Sequence, residues 1–169
     1  MKLIAIKGKA TDKRDRLEYI RRDGTRSTIE MPRQGILPHD LVHCVVENGF
    51  GLHDGFMGRV AGGASPQFTD SADLEHTRDL KIAESIVEAM QTQLACGAFD
   101  YDAFMYGVET ACASRHVTDV SSLDQVAAQD AFDRAVLLNE QWRAVPPLNS
   151  FELIFEEAGS DNGLDLAHR

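Results

Sequence analysis

Leu17-Glu18-Tyr19-Ile20-Arg21-Arg22-Asp23-Gly24-Thr25-Arg26-Ser27-Thr28-Ile29-Glu30-Met31 is a β-hairpin in outline: two alternating stretches rich in Ile, Tyr and Thr around Asp23-Gly24. Asp-Gly is a strong short-range turn signal, because it accepts the positive φ that tight hairpin turns demand. A two-residue turn there places Ile20, Ile29 and Met31 on one face, the expected core side. Upstream, residues 2–7 form a short first strand with Ile4 and Ile6 on one face. Downstream, Pro32 and Gly35 make a connector, and from Pro38 the apolar spacing changes from two to about 3.6.

That change starts a helical series. Pro38 suits a first helical turn, since its missing N–H is not needed there, and Asp40 in the same turn is favoured by the helix dipole. This helix is expected to end near Asn48, at Gly49. A short second helix over 53–60 follows, then a loop at Ala61-Gly62-Gly63-Ala64-Ser65-Pro66. Asp70 or Ser71 caps a long helix through Ala95 whose apolar stripe is Leu80, Ala83, Val87, Met90 and Leu94. Gly97 closes it. Asp100 caps a helix carrying Phe104, Val108 and Ala111. Ser122-Leu123-Asp124-Gln125 reads as a capping box opening another, with Ala127, Ala131, Ala135, Leu138 and Trp142 on one side, stopped by Pro146-Pro147. Residues 151–156 alternate as a last strand that returns to the N-terminal sheet to bury Phe151, Leu153 and Phe155. The expectation is an α+β fold: a small antiparallel sheet, from the N-terminal strand, the hairpin and the C-terminal strand, packed against four or five helices. It covers residues 1–157 as one domain; 158–169 are polar and expected to fray.

At 169 residues with 43% hydrophobic and 26% charged content, the chain can bury one core and is not of disordered composition. No apolar run is long enough for a membrane span, and the four apolar residues after Lys2 are too few for a secretory leader. Cys44, Cys96 and Cys112 form no CxxC pair and read as reduced thiols of a cytoplasmic protein. Net charge is −10, yet residues 1–33 hold ten basic and five acidic side chains. Nucleic acid is nonetheless disfavoured as a partner: an acidic body repels phosphate, and no helix-turn-helix, zinc-finger or RNP-like pattern is present. The hairpin more simply balances the acidic helices.

The residues able to carry chemistry lie on the first helix, Pro38-His39-Asp40-Leu41-Val42-His43-Cys44-Val45-Val46-Glu47, an HDxxHxxxE pattern. At about 100° per residue, His39, His43 and Glu47 fall within roughly 80° of one another, with Asp40 beside Glu47. Two imidazoles one turn apart can converge on one ion, and Glu47 supplies a third ligand in the expected set His39, His43 and Glu47. Zinc is the first ion to expect. Asp40 holds the place of the general base in HExxH helices but is one methylene shorter, so a peptidase is not indicated. If the chain is an enzyme, metal-assisted hydrolysis with Asp40 orienting a histidine or water is the natural class. His53, Asp54, His76 and His116 are open as further ligands, and Glu84 and Glu88 share the long helix with His76. Three competing readings stand beside this one: the cluster is a metal-free acid/base site, or the polar face is solvated, or its histidines simply hydrogen-bond to loop carbonyls, and the last two imply no chemistry. The chain is then a non-enzymatic interaction or regulatory module without metal, partnered by a second copy of itself.

The Leu37-Pro38-His39-Asp40-Leu41-Val42-His43 stretch with Val46-Glu47, and then Gly55-Phe56-Met57-Gly58, resembles a group of bacterial proteins sharing an LPHDLxHxxVE segment that carries no assigned activity. The resemblance covers about 25 residues and implies a bacterial origin and a shared helix site. It implies no reaction or substrate. Other signatures fail. Gly49-Phe50-Gly51 and Gly62-Gly63 form no dinucleotide or phosphate loop, no GxSxG elbow exists, and Cys44 points about 100° away from His43.

Overall fold

A computed structural model describes residues 1–67, 77–118 and 120–157. Strands β1 (Lys2–Ile6), β2 (Arg14–Ile20) and β3 (Arg26–Pro32) precede helices α1 (His39–Phe50), α2 (Phe56–Ala61), α3 (Arg78–Cys96), α4 (Tyr101–Ser114) and α5 (Gln125–Ala144), and strand β4 (Ser150–Ile154) closes the order. The four strands form one antiparallel sheet, β3-β2-β1-β4, so the last strand does return to pair with the first. One sheet face carries Leu3, Ala5, Leu17, Tyr19 and Met31, all buried against the helices in an α+β fold. No helix among the described residues is long and apolar enough to cross a membrane.

The hairpin register differs from the expected one. Ile20 pairs with Arg26 and Leu17 with Ile29, leaving a loop in which Gly24 N–H donates to Arg21 and Arg21 N–H to Thr25. The turn therefore holds three residues, Arg22, Asp23 and Gly24, with Gly24 left-handed at φ 82° and Asp23 Oδ1 accepting from Thr25 N–H. A three-residue loop shifts pairing by one position relative to a two-residue loop, and one position exchanges the faces. Hence Leu17 and Tyr19 face the core with Ile29 and Met31, whereas Ile20 lies on the outer face with Ile4 and Ile6.

Helix boundaries differ in detail. Pro38 is the N-cap of α1 and lies outside its first turn, and the helix runs through Gly49 to a left-handed Gly51. Thr77 caps α3 through Leu80 N–H; the expected caps Asp70 and Ser71 lie outside the described residues. Asp124, one side of the expected box, caps α5 alone by accepting from Ala127 N–H. Asp100 caps α4 and Gly97 closes α3 as the sequence suggests.

α1 is the element that positions the site. Seven consecutive residues of it, Leu41 to Glu47, are buried. Its apolar side meets the core, and its polar side is covered by α2 and α3.

Candidate metal centre

His39 and His43 are one turn apart on α1, and their Nε2 atoms face each other at 3.1 Å. Glu84 reaches both from α3: its Oε1 lies 3.3 Å from His43 Nε2 and its Oε2 3.5 Å from His39 Nε2. Among the described residues these three form a group whose ligand atoms all lie within 4.8 Å of one another. Donors about 2.0–2.1 Å from a tetrahedral zinc ion are separated from each other by about 3.3 Å. The observed separations fall on either side of that value.

The far nitrogens fix how the rings are presented. His43 Nδ1 lies 2.9 Å from Glu47 Oε1, and an ionised carboxylate only accepts, so Nδ1 carries the hydrogen. His39 Nδ1 likewise donates to Gln91 Oε1 at 3.0 Å. Both Nε2 lone pairs then point into the space that Glu84 also faces. Three acceptors converging without a positive charge between them repel, so the arrangement calls for a proton or a metal ion.

Electrostatics give the same answer. Burial opposes protonation of His43, but its hydrogen bonds to Glu47 and Glu84 outweigh that and hold it at about 9. His39 is also raised: burial opposes this, and the Glu84 hydrogen bond overcomes it. Burial works against ionisation of Glu84, yet the bonds from His39 and His43 hold it well below the usual carboxylate range. At neutral pH the His43 imidazolium faces Glu47 with its Nδ1–H and Glu84 with its Nε2–H, and a divalent cation would take the place of the Nε2 proton. His43 is 1% exposed, whereas the side chains of His39 and Glu84 are 37% and 29% exposed, so solvent reaches the group through His39 and Glu84.

Glu47, expected as the third ligand, stands on the other side of the His43 ring. It is fully buried, and its two oxygens accept from Met57 N–H at 3.1 and 2.9 Å and from Gly58 N–H at 3.4 Å. α2 has no side-chain cap of its own, and Glu47 fills that role from α1. Phe56 packs on the His43 ring, centroids 5.0 Å apart. Glu84 takes the ligand position because α3 lies along the polar side of α1. The seven-residue spacing of Glu84 and Gln91 is the signal that both reach the same partner helix.

Asp40 is half-buried; burial pushes its carboxyl upward, and His39 and His43 pull it partly back. It lines a cavity of about 510 Å³ together with Arg14, Ile29, Glu30, Pro66 and Gln67. Tyr19 is fully buried nearby, where burial and the Asp40 charge keep its hydroxyl protonated. His53 and Asp54 are exposed in the turn between α1 and α2, and His116 sits past the end of α4 at φ 58°; none of the three joins the group. His76 lies outside the described residues.

No protein-family model, curated protein or solved structure matches the chain.

Cys44 is buried against Asn48 and the Ile154 carbonyl, and burial pushes its thiol up to about 12, so it stays protonated and inert. The side chains brought together on α1 and α3 can therefore hold a cation and donate or accept a proton at His43 Nε2, with His39 and Glu84 in partial contact with solvent.

Proposed function

We propose that the chain binds a divalent metal ion, zinc first, through His39 Nε2, His43 Nε2 and Glu84, and that the bound ion serves metal-assisted hydrolysis. The observation that carries this reading is the convergence of the two Nε2 atoms, 3.1 Å apart, on the Glu84 carboxylate, whose Oε1 lies 3.3 Å from His43 Nε2 and whose Oε2 lies 3.5 Å from His39 Nε2. Two histidines and one glutamate with a fourth position open are a donor set that suits a catalytic zinc ion better than a closed structural one. A zinc ion there would supply Lewis acidity to a water or a substrate oxygen.

The chain's own residues have separate tasks. Glu47 holds the His43 ring in one tautomer, Gln91 does the same for His39, and we assign proton exchange with substrate to Asp40, the neighbour of His39 on α1. We read the resemblance of the 37–47 and 55–58 stretches to the bacterial group as resemblance in one site, because Glu47 of the first stretch is held by Met57 and Gly58 of the second.

Calorimetric titration of untagged, EDTA-treated protein with Zn²⁺ tests the metal reading. One ion per chain is expected, with binding lost in Glu84→Ala and His43→Ala. Absence of stoichiometric binding in the parent protein overturns it. Hydrolysis of generic ester and phosphoester substrates that depends on zinc and fails in Asp40→Asn would support the enzymatic half. Zinc binding with no water at the fourth position, read by X-ray absorption, would instead make the ion structural.

A further inference from the structure

Most ion pairs of the basic N-terminal segment end on glutamates: Lys2 on Glu152, Arg14 on Glu30, Arg22 on Glu157 and Arg26 on Glu18. Lys7 is different. Its ammonium lies over the Trp142 ring, 5.1 Å from the centroid, and donates to the Arg143 carbonyl at 3.2 Å. Among the described residues neither Lys7 nor Arg143 has a carboxylate within ion-pair distance.

Both side chains, with Arg33, line one cavity of about 440 Å³, in which Asp15 is the single acidic residue. Asp15 is already committed: its Oδ1 accepts from Gly8 N–H at 2.9 Å and from Arg33 at 2.9 and 2.7 Å. It offsets Arg33 and leaves two positive charges on the cavity wall. In a chain of net charge −10 with 27 acidic residues, these two cations face one cavity with no carboxylate beside them. A concave wall also concentrates their field on whatever enters.

We propose that this cavity binds a small organic phosphate. A phosphate monoester carries about −1.5 to −2 charges at neutral pH, close to the charge left unanswered. The planar guanidinium of Arg143 suits phosphate oxygens, and Lys7 adds a compact charge held in place by Trp142. Trp142, Ile36 and Val145 supply an apolar wall for the organic part, and the volume lies within the range of small-molecule sites. The ligand set is separate from His39, His43 and Glu84, so the site does not depend on a metal ion.

Trp142 is the only tryptophan of the chain and makes its own reporter. The full-length protein, kept metal-free with EDTA, is titrated with phenyl phosphate while Trp142 emission is followed, against sodium chloride at matched ionic strength. A saturable change is expected, with affinity at least about tenfold weaker in the Lys7→Gln/Arg143→Gln double variant. Arg143→Gln alone, at an exposed position and with the backbone carbonyl that Lys7 bonds left in place, is expected to weaken binding while circular dichroism and zinc affinity stay at the parent values. Emission that follows ionic strength alone, or variants that titrate like the parent, would overturn the assignment.

Discussion

His43 is a proton site and a candidate metal ligand at once, and the two roles give opposite pH trends. Its pKa in the folded chain is about 9, above the ordinary 6.5, so the folded state binds more protons than the unfolded state between those values. The stabilisation this gives the metal-free protein is complete below about pH 6.5 and is lost as pH rises through about 9. Urea midpoints in EDTA should therefore fall across that interval, and His43→Asn should flatten the fall. Zinc affinity should rise over the same interval, because the ion displaces the proton on His43; binding in weakly buffered solution near neutral pH should release protons. Glu47 raises the His43 pKa and fixes its ring, so Glu47→Gln is expected to lower zinc affinity by about 10–100-fold. It should also move the pH midpoint of zinc binding to a lower value, a shift that simple loss of packing would not produce.

At the scale of elements, α2 acts as a clamp on that carboxylate. A Cβ on Gly55 would lie 2.6 Å from the Glu47 carboxyl group, although the φ of Gly55, −75°, suits any residue. Glycine is required there for space. Gly55→Ala should force Glu47 off the Met57 amide and cost about 1–3 kcal/mol, the usual penalty for stranding buried polar groups, measured by chemical denaturation. Its zinc affinity should fall like that of Glu47→Gln. The double variant should lose little more than either single one, since both act through one contact. The β4 end of the sheet shows the reverse case. Leu148, 69% exposed, takes φ 65° in the turn closed by Asn149 N–H to Pro146. Leu148→Gly relieves a left-handed residue at small loss of burial and should stabilise by about 1 kcal/mol in the same assay. The hairpin teaches what element-level reading misses. Asp23-Gly24 marks the turn from sequence, but whether two or three residues form the loop is decided by where Arg21 and Thr25 bond, and that choice turned Ile20 outward and Tyr19 inward.

For the whole molecule, strands and helices were readable because each carries its own period and its own stop signal, such as Gly97 or the Pro146-Pro147 pair. The return of β4 to the sheet followed from the need to bury Phe151, Leu153 and Phe155, whereas its pairing with β1 carries no local sequence signal. The site was readable only where one helix contains it. His39 and His43 converge because four residues make a turn, whereas Glu84 enters from a helix some forty positions later, and its approach depends on how α3 packs against α1. Glu47 shares the histidines' side of the helix, but its side chain is drawn to the free amides at the start of α2, an attraction visible only once α2 is in place. An ion held by His39, His43 and Glu84 would tie α1 to α3, and its ligands come together only in the folded chain. Its free energy therefore adds to global stability: about 4 kcal/mol at a thousandfold excess of free zinc over the dissociation constant. For a chain of this size that is a rise in Tm on the order of 10 °C, readable by calorimetry. Glu84→Ala should remove the rise while keeping α1 and its histidines, and the size of the shift in His39→Ala then measures how much of the linkage the half-exposed ring carries.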